Sequence, residues 1–374
     1  MKKCLSCLFA ILVLLSCCLS VPVSAFFQDE EESFGLAKGY VRTKIVYQDT
    51  FGEHTTITRT FDKKGHMLKE TTKTKSEFGQ ETNICTYKYD KKGRLVKAVG
   101  SFRDSDGKTS GSTVTYQYNS QGKLIQEKQT GEIPYTNKYT YDKSGNLIKQ
   151  TYICTEFTTV TTFTYNEKGK VVKEATKSVF QESGQTTSTT VHTYDQKGRE
   201  IKKVYRSSST DGSKSQVTET TVYSKGLPVK YSYVSFSTER DGTKSNPEKW
   251  NTVNTYNSKG KLIRKVEQHV TSSGEKATSA TTYTLDNKGR VIKEENTQKG
   301  CDGNGKSYYS YTYDNQGRLI KTTTIQKSAE GTAKHVDALT LDKAGNMRKR
   351  VQTGSGIYGY SKCVWVDTYQ KIGA

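Results

Sequence analysis

Apolar and polar residues alternate with a period of two through most of residues 40–354, and a D/N-x-x-G turn signal interrupts the alternation at regular intervals. Tyr89-Asp90-Lys91-Lys92-Gly93-Arg94-Leu95-Val96-Lys97 is the clearest copy. The turn glycines fall at 65, 93, 122, 145, 169, 198, 226, 260, 289, 317 and 345, so most spacings are 28 or 29 residues, with outliers of 23, 24 and 34. The flanking runs are rich in Thr, Tyr, Val and Ile, hold almost no proline and show no helical period, which predicts strands. The turn signal fits a three-residue hairpin loop, a type I turn followed by glycine at positive φ. Asp or Asn opens ten of the eleven copies, because its short side chain accepts hydrogen bonds from the turn's own amides. A second, variable turn closes each repeat, as at Asp104-Ser105-Asp106-Gly107.

Repetition this even makes the length count as one array rather than two or three domains. The expected fold class is all-β: tandem antiparallel β-hairpin repeats forming a long twisted or spiralling sheet. Twenty-two strands of about ten residues would span roughly 100 Å by roughly 33 Å. The usual twist of about −20° per strand would coil so long a ribbon. A propeller is disfavoured, because its blades are four-stranded. The expected boundaries are an export signal over 1–25, a tether over 26–39, the repeat array over 40–354 and a C-terminal capping strand over 355–374. A seam is expected near 224–250. There Tyr223-Ser224-Lys225-Gly226 is one loop residue short, and Pro228 fits only an edge or a bulge.

Simple alternation outward from each turn sets Tyr89 opposite Leu95, Lys88 opposite Val96 and Tyr87 opposite Lys97. One face then carries an aromatic row, including Tyr89, Tyr118, Tyr141, Tyr165 and Tyr194, beside a basic row that includes Lys97, Lys149, Lys173 and Lys202. These nine residues are the candidate ligand-binding positions: tyrosine offers a flat ring and a hydroxyl, and a line of ammonium groups attracts polyanions. Threonines such as Thr164, Thr193 and Thr284 are expected on the opposite face, paired with Ile or Val.

Composition sharpens this picture. Hydrophobic residues make up only 32% of the chain and the net charge is +20, so a thick core is not expected, while 25 Tyr, 12 Phe and strict periodicity argue against disorder. Lys2, Lys3, the apolar run Leu8 to Leu15 and the small-residue stretch Val23-Ser24-Ala25 read as an export signal. Leu14-Leu15-Ser16-Cys17 also matches a lipobox, which makes lipidation at Cys17 the alternative to cleavage after Ala25. Cys85, Cys154, Cys301 and Cys363 are expected as thiols, since sequential hairpins hold Cys85 and Cys154 about five strands apart, roughly 24 Å, beyond the ~7 Å a disulfide spans. No Cys/His spacing suggests a metal, and no cofactor is expected.

The copies resemble the YD repeats of bacterial RHS and wall-associated surface proteins, most closely at Tyr313-Asp314-Asn315-Gln316-Gly317-Arg318-Leu319 and at Tyr89 to Leu95. The resemblance covers roughly residues 55–350 and implies an antiparallel array able to spiral into a shell, with roles in polymorphic toxins, cell-surface contact and carbohydrate-linked binding. A D-P-x-G-L core-associated motif is missing. The expected function is an exported, noncatalytic scaffold, secreted or at the cell surface, for a glycan, an anionic wall polymer or a surface protein. A shell fragment of the RHS or polymorphic-toxin type is the alternative. Catalysis is not expected, because His54, His66, His192, His269 and His335 are scattered and form no nucleophile grouping in the sequence. Nucleic acid is not an expected partner of an exported chain, and membrane contact is expected only with Cys17 lipidated.

Overall fold

A computed structural model of the chain describes residues 39–50, 52–181, 184–301, 303–356 and 359–371. The export signal, Cys17 and the tether up to residue 38 lie outside the described residues. Every described element is a strand. In chain order they are β1 (Tyr40–Asp49), β2 (His54–Phe61), β3 (Met67–Ser76), β4 (Gly79–Tyr89), β5 (Leu95–Arg103), β6 (Thr109–Tyr118), β7 (Leu124–Gly131) and β8 (Tyr135–Tyr141). Next come β9 (Leu147–Cys154), β10 (Phe157–Tyr165), β11 (Val171–Phe180), β12 (Gly184–Tyr194), β13 (Glu200–Ser209), β14 (Lys214–Ser224), β15 (Leu227–Thr238) and β16 (Glu248–Tyr256). The last eight are β17 (Leu262–Val270), β18 (Lys276–Leu285), β19 (Val291–Gly300), β20 (Gly305–Tyr313), β21 (Leu319–Ser328), β22 (Gly331–Leu341), β23 (Met347–Gly356) and β24 (Ser361–Lys371).

The chain forms two compact units, one comprising residues up to Thr136 with Thr312–Thr322 and His335 onward, the other Asn137–Tyr311 with Thr323–Lys334. In the first unit an antiparallel ladder runs β23, β24, β1 and then through β7 in order. In the second it runs from β9 to β20 in order. All 24 strands belong to one sheet, and β1 pairs with β24, Ile45 opposite Asp367 and Tyr47 opposite Trp365. With β1 paired to β24, the ladder has no free first or last edge, which corrects the expected open, spiralling ribbon.

Register gives the physical reason. Thr86 of β4 faces Lys69, yet Lys88 of the same strand faces Lys97, and the step recurs at Thr115 and Gln117 of β6. Each hairpin thus advances the pairing by two residues. At standard spacings that is ~6.6 Å along the strands for ~9.6 Å across them, a slant of about 35°, and closed sheets need a tilt of roughly 35–45°. Closure also removes the two exposed edges that an open array would leave. The segment read as a cap, Cys363-Val364-Trp365-Val366, is paired on both sides, with β23 and with β1.

The expected seam is continuous ladder. β15 is paired with β14 along its length and with β16 over Lys230–Ser235. Lys225 and Gly226, at φ 48 and 88, make a two-residue turn, and Pro228 sits at the register shift that also occurs beside Tyr194 and Tyr256, a bulge position that tolerates a residue without an N–H. Few apolar side chains are buried: Ile45, Cys85, Tyr87, Val114, Val204, Ala277, Ala333 and Met347 are the ones among the described residues. Stability rests instead on the ladder and on cross-strand pairs, such as the hydroxyl pairs Thr161–Thr176 at 3.0 Å and Thr187–Ser208 at 3.0 Å. Among the described residues Cys85, Cys154, Cys301 and Cys363 are thiols, as expected.

At the closing pair of strands, Arg42 Nε lies 3.0 Å from Asp367 Oδ2, with side-chain exposures of 8% and 0%. Tyr369 donates to Asp367 at 3.0 Å and accepts from Arg42 at 3.2 Å. Removing the acid from a buried pair leaves the guanidinium without its counter-charge, so Asp367→Ala should cost about 3–5 kcal/mol in guanidinium unfolding. A loss below about 1 kcal/mol would show that this pair does not hold the closure.

Candidate functional site

The turns behave as their chemistry demands. All eleven turn glycines have positive φ, between 72° and 101°. In the copy at residues 90–94, Asp90 Oδ1 accepts from the amides of Lys92 at 2.9 Å and Arg94 at 3.0 Å, and Gly93 N–H closes the turn on Asp90 O at 3.0 Å. The second carboxylate oxygen binds the Arg94 guanidinium, with Nη2 at 2.6 Å. That guanidinium lies over the Tyr118 ring of the next repeat, 4.5 Å from its centroid. Arg199 does the same between Asp195 and Tyr223, at 4.3 Å. His66 takes the position in the first copy, 2.8 Å from Asp62 and stacked on Tyr89 at 4.8 Å. The residue after the turn glycine is therefore a clasp between one repeat's acid and the next repeat's tyrosine.

The tyrosine row is committed to the scaffold by its hydroxyls. Tyr89 donates to Met67 O at 3.0 Å, Tyr118 to Leu95 O at 2.7 Å, Tyr165 to Leu147 O at 2.7 Å, Tyr194 to Val171 O at 2.8 Å and Tyr256 to Pro228 O at 2.9 Å. Each acceptor belongs to the preceding repeat, at the first residue after its turn. There the register shifts: Tyr89 faces Leu95 but Lys88 faces Lys97, so Val96 is an extra residue, a β-bulge. The same shift occurs beside Phe61, Tyr118, Tyr165, Tyr194, Tyr223, Tyr256 and Leu285. Burial raises the hydroxyl pKa of Tyr89, Tyr118, Tyr141, Tyr165 and Tyr194 above the ordinary value, which keeps these groups protonated donors.

The bulge corrects the expected facing of Tyr87 and Lys97. Tyr87 pairs with Ala98, and Lys97 pairs with Lys88. Direct partners share a face, so the basic row lies on the sheet face away from the tyrosines. Lys149 sits opposite Thr162, Lys173 opposite Thr164, Lys202 opposite Thr193, Lys230 opposite Val222, Arg264 opposite Thr255 and Lys293 opposite Thr284. All six cations are exposed. Threonine accordingly pairs with lysine here, not with the Ile or Val expected. The candidate residues thus split: Tyr89, Tyr118, Tyr165 and Tyr194 hold the repeats together, and Lys149, Lys173 and Lys202 form an exposed line on the opposite face with three further cations.

The residue after the basic row falls on the tyrosine side, and it is often charged. Glu70 pairs with Arg59 at 2.7 Å, Glu127 receives a short hydrogen bond from Tyr135, and Glu294 accepts from Tyr311 at 2.8 Å. In the second unit these positions converge on a cleft of about 770 Å³ lined by Glu174, Thr190, His192, Tyr194, Glu200, Lys203, Tyr205, Val217, Glu219 and Tyr233. His192 Nδ1 is in close contact with Glu200 Oε1. Its Nε2, 3.4 Å from Glu174 Oε1, is buried and makes no hydrogen bond. Lys203, directly opposite His192, pairs with Glu219 at 3.1 Å. Tyr231 donates to the other Glu219 oxygen at 3.1 Å, and its pKa is pushed up to about 12 by burial and then by Glu219.

Sequence reasoning treated His192 as scattered. A usable signal was present: His192 stands two residues before Tyr194, in the slot that other repeats fill with Tyr87, Tyr116, Tyr139, Phe163, Tyr283 and Tyr311. Among the described residues no group of three or more His, Cys, Asp or Glu side chains is arranged to hold a metal ion.

No protein-family model matches the chain, and no curated protein does. Among solved structures, a Tc holotoxin pore of Photorhabdus luminescens is 14% identical over 80% of this chain, with a TM-score of 0.31, and the chain spans 19% of the toxin chain's length. A porin-like protein of Bacteroides uniformis is 12% identical over 88% of this chain and 98% of its own, with a TM-score of 0.23. One of Bacteroides vulgatus is 13% identical over 73% and 97%, with a TM-score of 0.19. Similarities this low carry no argument about fold or function, and the YD-repeat resemblance rests on the motif copies alone.

Two measurements test the scaffold roles. Tyr118→Phe removes the bond to Leu95 O and should cost about 1 kcal/mol, whereas Tyr223→Phe, whose hydroxyl has no hydrogen bond among the described residues, should be nearly neutral in the same melts; equal effects would remove the bulge bond from the account. The turn acids set the pH dependence. Asp90 is held below its usual range by the Arg94 amide and guanidinium, Asp195 by the Arg199 amide and guanidinium, and Asp211 is drawn down to about 2, first by the Ser213 hydroxyl. Folded values below the unfolded ~3.9 mean that this stabilisation is present above about pH 4 and is lost as the pH falls through the folded values. Melting temperature should therefore drop between about pH 4 and pH 2, and Asp211→Asn should flatten that drop; an unchanged slope would exclude Asp211 as a contributor.

Proposed function

We propose that the chain is an exported, noncatalytic scaffold that binds an anionic polymer of the cell surface or wall through its line of exposed cations. One observation carries the reading. In the second unit Lys149, Lys173, Lys202, Lys230, Arg264 and Lys293 occupy equivalent positions on alternate strands, all exposed, and none of the six makes an ion pair among the described residues. Two strands across and two residues along put neighbouring positions about 12 Å apart, slightly beyond the ~8–10 Å Debye length. Each charge therefore acts nearly alone on a small ion, and a long polyanion gains by touching several at once. The tyrosines, held by the bulge carbonyls, support the line rather than take part in it.

The faces also bear on location. A barrel in a bilayer turns an apolar band to the lipid, and each lysine or arginine at the midplane costs ~2–4 kcal/mol there. Here one face carries the cation line and the other carries Glu70, Glu127, Glu174, Lys203 and Glu294. Both patterns suit water, in keeping with an export signal that delivers the chain outside the cytoplasm.

The full chain should be retained on an immobilised anionic polysaccharide at about 0.15 M salt, where exposed charges still interact. The triple substitution Lys149→Gln, Lys173→Gln and Lys202→Gln should elute at clearly lower salt with unchanged far-ultraviolet dichroism. A wild type that is not retained, or a triple variant that elutes with it, would sink the proposal.

A further inference from the structure

The cleft around His192 lies on the tyrosine-bearing face and plays no part in the cation line. Its lining is acidic within a chain of net charge +20: Glu174, Glu200 and Glu219 against the single ammonium of Lys203. Glu219 is already matched by Lys203 and Tyr231. Glu174 and Glu200 flank His192, and their side chains remain 38% and 41% exposed, so each keeps oxygen surface turned to the cleft. Tyr205 and Tyr233 stand on β13 and β15 with Val217 and Glu219 of β14 between them, a separation on the order of 10 Å. Neither hydroxyl has a hydrogen-bond partner among the described residues, and His192 Nε2 is buried without one.

An anionic ligand would be repelled here. A neutral one would cover two carboxylates without supplying charge-assisted donors, which is unfavourable when the groups lose water. A cation carrying a flat ring face and hydroxyls fits all three features at once. The geometry points to a binding site for an amine-bearing sugar, its ammonium on the solvent-facing oxygens of Glu174 and Glu200 beside the imidazole, its ring face against Tyr205 or Tyr233, and its hydroxyls on the tyrosine hydroxyls. Aromatic rings add attraction for an ammonium group, and a cleft of about 770 Å³ lies in the ~300–1,000 Å³ range of small-ligand sites.

The test is calorimetric titration of the full chain with a fully deacetylated hexosamine tetrasaccharide, its N-acetylated counterpart and spermidine. The deacetylated sugar should bind saturably, and the acetylated one at least tenfold more weakly because it lacks the ammonium. Glu174→Gln combined with Glu200→Gln should weaken binding at least tenfold, and Lys128→Gln, an exposed position on β7, should leave it unchanged. Both glutamates are partly exposed, so the double variant should keep its far-ultraviolet dichroism; Tyr233→Phe, which retains the ring, gives a second variant with an expected loss of a few fold. Equal affinity for both sugars, no loss in the double variant or no saturable binding at millimolar concentration would each overturn the assignment. Spermidine binding as tightly as the sugar would overturn its sugar part. Retention on an anionic polymer is measured separately and does not depend on these outcomes.

Discussion

The bond from a tyrosine hydroxyl to the bulge carbonyl of the preceding repeat is the constraint on which the rest of this structure depends. A bulge takes a carbonyl out of the regular ladder, and a polar group left without a partner near a packed face is costly. Tyr118 closes that gap on Leu95, Tyr165 on Leu147 and Tyr194 on Val171. In each of these pairs the partner comes from the next repeat, so satisfying the backbone and joining the repeats are one act. The clasp of Asp90, Arg94 and Tyr118 reinforces it from the turn side. This lets a chain with so few buried apolar side chains keep a defined register: specification comes from directional polar contacts repeated along the array.

The bulge also decides where charge goes. Without it, Lys97, Lys149 and Lys173 would stand among the tyrosines. With it, they turn to the opposite face, and the next residue, Glu70, Glu127, Glu174 or Lys203, lies on the face of the aromatic rings. The two faces then differ in electrostatic character. On one, acids are met by Arg59, Tyr135, His192, Lys203 or Tyr311. On the other, cations stand in line opposite threonines. Like charges about 12 Å apart in water repel one another only weakly, so the line costs the sheet little.

Turn chemistry was fully legible in the sequence, because Asp-x-x-Gly is a local code whose φ and hydrogen bonds depend on nothing distant. Strand identity followed from period and composition. The bulge was missed although its sign was present: Leu95-Val96, Leu147-Ile148 and Val171-Val172 are consecutive aliphatic residues, and simple alternation cannot put both on one face. Closure was not legible, because β1 and β24 meet only after the register advance of every intervening hairpin has been summed. Neither strand carries a mark of its partner beyond the Arg42–Asp367 charge pair. Pro228 fits only an edge or a bulge, and it stands at a bulge beside Tyr223; a seam did not follow from it, because the same bulge recurs beside Tyr194 and Tyr256.

His192 shows how a scaffold of this kind acquires a site. Neighbouring repeats place Tyr139 or Phe163 in this slot, where an aromatic ring fills it. An imidazole there is smaller and polar, draws Glu200 and Glu174 to its two sides, and leaves the surface between β11 and β15 indented rather than filled. The change needs no alteration of turn, bulge or register, since Tyr194 still binds Val171 O and Arg199 still clasps Asp195. Specific chemistry can therefore be written into one repeat while the bonds that hold the array together stay constant, and the positions to inspect for function are those where a repeat departs from its neighbours inside an otherwise unchanged frame.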